Sequence, residues 1–215
     1  MKIFLDTANI DAIKKAARSG LIDGVTTNPT HILKSGEHFR DVVKEISSIV
    51  PGPISAEVMA EDAEGMIKEA QEIAAIAPNI AIKIPMTFEG LRAVPVLSNE
   101  LNIKTNVTMI FSSTQVFLAM KAGATFVSIV LSRLDAVANE SIVLLQDAVT
   151  IKHNYGFSSE VLAASLKTQN HVLESLRVGA DIATVPDALF FQMYKHPLTD
   201  NGLAQFIKDW EKVPK

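Results

Sequence analysis

The sequence predicts a closed (β/α)₈ barrel, with residues 1–215 forming one domain and a further helix at about 201–213. Three observations carry this reading. Short apolar segments alternate with amphipathic stretches eight times, the pattern of strand–helix units wound around a parallel sheet. The units are nearly even, with no linker or low-complexity segment between them. No G-x-G-x-x-G follows the first strand, where an open dinucleotide-binding sheet would carry one. At 215 residues the chain is near the short end for this fold, so insertions should be few.

The first strand is expected at 3–7, where Ile3 and Leu5 alternate with Phe4 and Asp6, and a helix at about 10–19 follows. Gly24-Val25-Thr26-Thr27-Asn28 is the second strand, ended by Pro29, with a short helix at 30–34 and a longer one at about 37–49. The third strand is 54–59, and Asp62 caps a helix reaching about 76. The fourth lies within Asn79-Ile80-Ala81-Ile82-Lys83-Ile84-Pro85-Met86-Thr87 and leads to a helix at about 88–99. The fifth is 104–108 with a helix at about 113–122, and the sixth is 125–131 with a long helix at about 136–154. The seventh, 161–165, precedes a helix at 169–178, and the eighth, 182–185, one near 188–194. In the extra helix Leu203, Phe206, Ile207 and Trp210 fall at i, i+3, i+4 and i+7. That apolar stripe packs either on the barrel's own bottom or on a neighbouring subunit.

Composition bounds the function. The chain is 48% hydrophobic and 20% charged with a net charge of −4, so it lacks the basic footprint of a nucleic-acid or anionic-membrane binder. There is no cysteine, which excludes disulfides, thiolate metal sites and thiol catalysis. Met1-Lys2-Ile3-Phe4-Leu5-Asp6 is too short an apolar run for a signal peptide, and no uncharged apolar run approaches the ~18 residues of a membrane helix. A cytoplasmic location is expected. The histidines at 31, 38, 153, 171 and 196 show neither i, i+4 pairing nor a carboxylate spacing that suggests a metal, and no role is assigned to them.

The fourth strand is the centre of the functional reading. Ile80, Ile82 and Ile84 share one face, leaving Lys83 between Ala81 and Pro85 on the other. An ammonium turned into a barrel must lose water, which lowers its pKa, and a neutral lysine amine attacks carbonyls to form a Schiff base. The competing explanation is a strand-end lysine whose head reaches solvent.

Catalytic groups of such barrels gather at the C-terminal strand ends. Alternation there turns Asp6, Thr26 with Asn28, and Ser55 with Glu57 inward. On the fifth strand Thr105, Val107 and Met109 face out, and Asn106 and Thr108 face in. On the sixth Ser128 and Val130 face in, with Arg133 just beyond; on the seventh Ala163 and Ser165 face in, with Lys167 following. Each residue alone has a structural explanation: Asp6 as a helix cap, Asn28 as a turn before proline, Glu57 as an ion-pair partner of Lys83. Together they place many polar groups at one end, which is costly unless they bond each other or a ligand. Two carboxylates beside a lysine offer acid, base and nucleophile, and Arg133, Ser165 and Lys167 suit a phosphate.

Phe4-Leu5-Asp6-Thr7-Ala8-Asn9, Gly24-Val25-Thr26-Thr27-Asn28-Pro29, Ile82-Lys83-Ile84-Pro85-Met86-Thr87, Thr105-Asn106-Val107-Thr108 and Leu162-Ala163-Ala164-Ser165 resemble the transaldolase family, most closely its small members and the related fructose-6-phosphate aldolases. The likeness continues into Lys195-His196-Pro197-Leu198-Thr199-Asp200 and Asp209-Trp210. The resemblance implies a metal-free, cofactor-free Schiff-base mechanism on phosphorylated sugars. Lys83 matches the Schiff-base lysine and Asp6 the acid/base acting on the C4 hydroxyl. Glu57 and Thr108 match the pair that holds a proton-shuttling water. Asn28 and Asn106 match residues holding the dihydroxyacetone hydroxyls, with Thr26 and Ser128 nearby, and Arg133, Ser165 and Lys167 match the phosphate site. The family also implies a homo-oligomer, a pentamer or decamer, with the C-terminal helix laid on a neighbour.

One departure stands out. After Ser128 the family usually has a proline and then an aromatic ring, phenylalanine for transfer and tyrosine for direct aldolase chemistry. Here Ile129 and Val130 occupy those places, and Ser132 replaces a common glycine. The wall should be more open, with room for water. Glu57 points to transfer, because the aldolases carry glutamine there. The alternatives are an aldolase releasing free dihydroxyacetone, or a sugar-phosphate-binding barrel with weak catalysis.

Overall fold

In the computed structural model, which describes residues 1–214, eight parallel strands close into a barrel in chain order. They are β1 (Lys2–Asp6), β2 (Gly24–Thr26), β3 (Ile54–Glu57), β4 (Ile80–Pro85), β5 (Thr105–Ile110), β6 (Phe126–Val130), β7 (Glu160–Ala164) and β8 (Ile182–Val185). The helices between and after them are α1 (Ile10–Ala17), α2 (Pro29–Ser35), α3 (Phe39–Ile49), α4 (Ala63–Ala74), α5 (Phe88–Pro95), α6 (Ser113–Lys121), α7 (Leu131–Asp135), α8 (Ser141–Tyr155), α9 (Gln169–Val178), α10 (Asp187–Met193) and α11 (Pro197–Trp210). The barrel and the extra C-terminal helix are those expected from the sequence.

Local chemistry explains most boundaries. Side chains of Asn9, Asn28, Asp62, Thr87, Ser112 and Thr168 cap the helices that follow them, each accepting a backbone N–H. The helix expected at 88–99 is not uniform. Pro95 removes a backbone donor from its ladder, and a π turn, Val96–Glu100, completes the segment. The long helix expected from 136 is two elements: α7 starts directly after β6, Ala138 takes a left-handed φ of 58°, and α8 begins at Ser141. That break matters, because α7 carries Arg133. The last helix begins earlier than expected, at Pro197, where proline costs no hydrogen bond and the His196 ring accepts the Leu198 N–H.

The outward faces of the strands, among them Leu5, Val25, Ile54, Ile82, Val107, Ile129, Val161 and Val185, are buried against the helices. Phe4, Ala81, Phe126, Leu162 and Ile182 form a separate inner cluster that fills the barrel. The rings of Phe4 and Phe126 meet edge to face at 6.1 Å. Gly24 makes room for them: a Cβ there would lie 2.7 Å from the Phe4 ring and 2.7 Å from the Pro53 carbonyl oxygen. Large side chains buried so fully contribute about 1.5–3 kcal/mol each.

The stripe on α11 does not cover this chain's barrel. Phe206 is 71% and Trp210 68% exposed, and α11 buries no residue. No helix among the described residues is long and apolar enough to cross a membrane.

Candidate active site

Strand register builds the site in tiers. Glu57 on β3 pairs with Lys83 on β4, which pairs with Asn106 on β5, so these three stand side by side. Asp6 on β1 pairs with Thr26 on β2, which pairs with Ser55 on β3. All lie at the C-terminal end of the barrel, above the Phe4 and Phe126 rings. A cavity of about 560 Å³ there is lined by all eleven residues singled out from the sequence: Asp6, Thr26, Asn28, Glu57, Lys83, Asn106, Thr108, Ser128, Arg133, Ser165 and Lys167.

Lys83 points inward. Its Nζ donates to Glu57 Oε2 at 3.0 Å and to the Thr27 carbonyl at 3.3 Å, and the two side chains are 14% and 18% exposed. Alternation along the strands turns Glu57 to the same side as Lys83, as an ion-pair partner or as an acid or base beside the amine. The structure brings that carboxylate within ion-pair range of the amine. Glu57 stands where it can take or return a proton at Nζ.

Asp6 is free for chemistry because Asn9, not Asp6, caps α1. Its Oδ1 accepts from Thr26 Oγ1 at 2.9 Å, and Thr26 Oγ1 lies 2.6 Å from Thr184 Oγ1 on β8. Asn106 is held at both ends of its amide: Nδ2 donates to Ser55 Oγ at 3.0 Å, and Oδ1 accepts from Ser128 Oγ at 2.6 Å. Asn28 lines the cavity and caps α2, its Oδ1 accepting the His31 backbone N–H at 2.9 Å. Thr108 is buried and faces the same space.

The opposite wall departs from simple alternation, and two assignments are corrected. Met109 does not face the helices. The register of β5 against β6 shifts between Val107 and Ile110, Met109 takes a φ of 63°, and its side chain lines the cavity. On β7, Ala163 is packed against the helices, while Leu162 and Ala164 line the cavity. Ser165 does reach the site as expected, but through a φ of 59° just after the strand rather than through strand alternation. A left-handed residue other than glycine costs roughly 1–3 kcal/mol and persists where its surroundings hold it.

Those surroundings are specific. Ser165 Oγ lies 2.6 Å from Ser132 Oγ, and Arg133 Nη1 donates to Met109 Sδ at 3.4 Å. The Lys167 backbone N–H donates to His171 Nδ1 at 3.1 Å, so the ring hydrogen is on Nε2, which lies 3.3 Å from Asp135 Oδ2. The histidine thereby ties the loop of Lys167 to the short helix of Arg133. Among the described residues, no carboxylate is within ion-pair range of Arg133 or of Lys167, which leaves both charges available to an anion.

A family model described as Transaldolase/Fructose-6-phosphate aldolase matches residues 3–215. The chain belongs to this family. A relative from Geotalea uraniireducens, named "Probable transaldolase", is 54% identical over 215 residues, covering 100% of both chains. Relatives of the same name from Methanococcus maripaludis (54% over 211 residues, 98% of each chain) and Aquifex aeolicus (53% over 215 residues, 100% of this chain and 99% of the other) are equally similar. Among solved structures, an inosine 5′-monophosphate dehydrogenase from Legionella pneumophila superposes with a TM-score of 0.60 at 11% identity. It covers 88% of this chain and 58% of that one, and shows a shared barrel alone.

Within this transaldolase-family barrel, sequence reasoning missed several residues that line the cavity or hold its walls. Thr184 was legible, since Ile182 and Thr184 share the inward face of β8. Ser55 faces inward by alternation, and its contact with Asn106 shows only in the folded barrel. Ser132, a departure from the family pattern in sequence, bonds Ser165 in the fold. His31 and His171 had no role, because neither spacing nor composition showed what the barrel would bring beside them. His31 lines the cavity, its Nδ1 lying 3.7 Å from Asp6 Oδ1.

Proposed function

We propose that this transaldolase-family enzyme moves a dihydroxyacetone unit between sugar phosphates, from sedoheptulose 7-phosphate or fructose 6-phosphate to an aldose phosphate. The observation that carries the reading is the Lys83 amine, 3.0 Å from Glu57 and turned into a cavity that also holds Asp6. The arrangement supplies nucleophile, proton shuttle and base around one space.

In this reading the Lys83 amine, its proton passed to Glu57, adds to the ketose carbonyl, and loss of water gives the imine. Glu57, with a water shared with Thr108, carries the protons of that step. Asp6 takes the C4 hydroxyl proton as the C3–C4 bond breaks, and its electrons pass into the iminium to leave an enamine on Lys83. The aldehyde phosphate departs. An acceptor aldehyde then adds to the enamine, Asp6 returns the proton, and water releases the new ketose. Asn28 and Asn106 hold the dihydroxyacetone hydroxyls, with Thr26 and Ser128 supporting Asp6 and Asn106. Arg133, Lys167 and Ser165 bind the phosphate. No cofactor enters this scheme. The relatives named "Probable transaldolase" at 53–54% identity support transfer over direct aldolase chemistry.

Borohydride reduction with fructose 6-phosphate should add a dihydroxyacetone-derived mass to the Lys83 peptide; an unmodified peptide would reject the reading. A second reading, fructose-6-phosphate aldolase, is favoured by Val130, an aliphatic side chain in the cavity wall where the family carries a ring. Free dihydroxyacetone formed without an acceptor sugar would select it, whereas a transferase keeps the enamine until an acceptor arrives. The exposed stripe of Leu203, Phe206, Ile207 and Trp210 supports a homo-oligomer in which α11 lies on a neighbouring copy. Sedimentation equilibrium giving a monomer would remove that part.

A further inference from the structure

His31 stands between two residues of the proposed machinery. Its Nδ1 lies 3.3 Å from Asn28 Nδ2 and 3.7 Å from Asp6 Oδ1, and its side chain is 22% exposed. The Asn28 amide cannot be turned round, because its Oδ1 already accepts the His31 backbone N–H in capping α2. The group it presents to Nδ1 is therefore a donor. Nδ1 must be bare to accept it, which places the neutral ring's hydrogen on Nε2. A protonated ring carries hydrogen on both nitrogens. It then has nothing to offer Asn28, and gains a donor facing the Asp6 carboxylate. One nitrogen thus serves Asn28 or Asp6, never both.

We infer that His31 is a positioning residue that steadies the Asn28 amide when neutral and turns to Asp6 when protonated, so that acid loosens the sugar grip and ties up the base together. This rests on the roles proposed above for Asp6 and Asn28. The charges facing the ring are Asp6 on β1, Lys34 on its own helix, Lys83 on β4 and Lys167 beyond β7. Burial, the largest influence, lowers its pKa; Asp6 opposes that, and Lys83, Lys34 and Lys167 add to it. The net lowering keeps the ring neutral and turned to Asn28 at neutral pH, and puts the exchange on the acid side of the ordinary imidazole range.

The test is the pH profile of kcat/KM with fructose 6-phosphate and an acceptor aldose phosphate, for the unaltered enzyme, His31→Gln and His31→Leu. Glutamine can still accept from Asn28 but cannot titrate. Its KM at neutral pH should stay within about 2-fold, while the acid limb moves to lower pH. Leucine should show the same acid shift, and its KM should rise roughly 3- to 10-fold, the size of one neutral hydrogen bond. An acid limb unchanged in both variants would overturn the inference. A second arm needs no turnover. Nitrogen-15 NMR of the unaltered protein should show His31 as the Nε2–H tautomer, and Asp6→Asn should lower the pH at which the ring titrates. The Nδ1–H tautomer, or a titration indifferent to Asp6→Asn, would sink the idea. If the Lys83 imine cannot be trapped, the catalytic reading fails instead, and the NMR arm still decides whether the ring makes this exchange.

Discussion

The two walls of the cavity are built differently. On the β1–β4 side, regular strand pairing sets Asp6, Thr26, Glu57 and Lys83 in tiers, and every inward residue there follows from alternation. On the β5–β7 side the register slips, Met109 and Ser165 are left-handed, and Arg133 rides on a short helix begun directly after β6. The groups proposed to react sit on the wall whose geometry is unstrained and repetitive, where positions are fixed by the barrel itself. The groups proposed to bind an anion sit on the wall where the left-handed Met109 and Ser165 interrupt the strands. Proton transfer tolerates little misplacement, whereas a phosphate with several acceptor oxygens can be met from several directions.

Substitutions can sharpen or break this contrast. Lys83→Ala should have the largest effect, abolishing turnover and imine trapping. It also leaves Glu57 without its partner, a charge at 18% exposure, so thermal stability should fall modestly while the circular dichroism spectrum stays that of the folded barrel. Turnover surviving in Lys83→Ala would end the argument for the β1–β4 wall. Arg133→Ala comes next. Loss of one charge-assisted contact should raise KM for phosphorylated sugars roughly 10- to 100-fold with kcat little changed. A fall in kcat with KM unchanged would move Arg133 into the chemistry and erase the division. Ser55→Ala, on the regular wall, should cost about 1–3 kcal/mol in denaturant unfolding, because it strands the buried Asn106 Nδ2. Ser165→Gly should be the mildest, within about 1 kcal/mol of the parent, since relief of a left-handed side chain offsets the lost Ser132 contact. If Ser165→Gly were as damaging as Ser55→Ala, the strained wall would not differ energetically from the regular one.

The same contrast explains what could be read from the chain. Alternation alone turned Phe4, Asp6, Ser55, Glu57, Ala81 and Lys83 inward, because β1, β3 and β4 are unbroken pleats with one apolar face against the helices. It failed at Met109 and Ala163, where a bulge and a left-handed residue reset the period. Nothing in Thr108-Met109-Ile110 or Ala164-Ser165 advertises positive φ; glycine or asparagine would have. The capping asparagine at 28 was legible as a boundary before Pro29, but its second task, presenting a donor to His31, required a helix of known start and a barrel of known closure. His171 was invisible for a similar reason: its partners, Asp135 and the Lys167 amide, belong to segments that only the folded chain brings together.

The inner cluster of Phe4, Ala81, Phe126, Leu162 and Ile182 closes the lower end of the tube. Arrival at the Lys83 chamber and departure from it are therefore both on the side of the strands' C-terminal ends, a common doorway at the barrel's open mouth. In the proposed transfer the first aldehyde must vacate that doorway before the second can enter, so the two half-reactions take turns, and parallel double-reciprocal lines in two-substrate kinetics would be the signature of that shared passage.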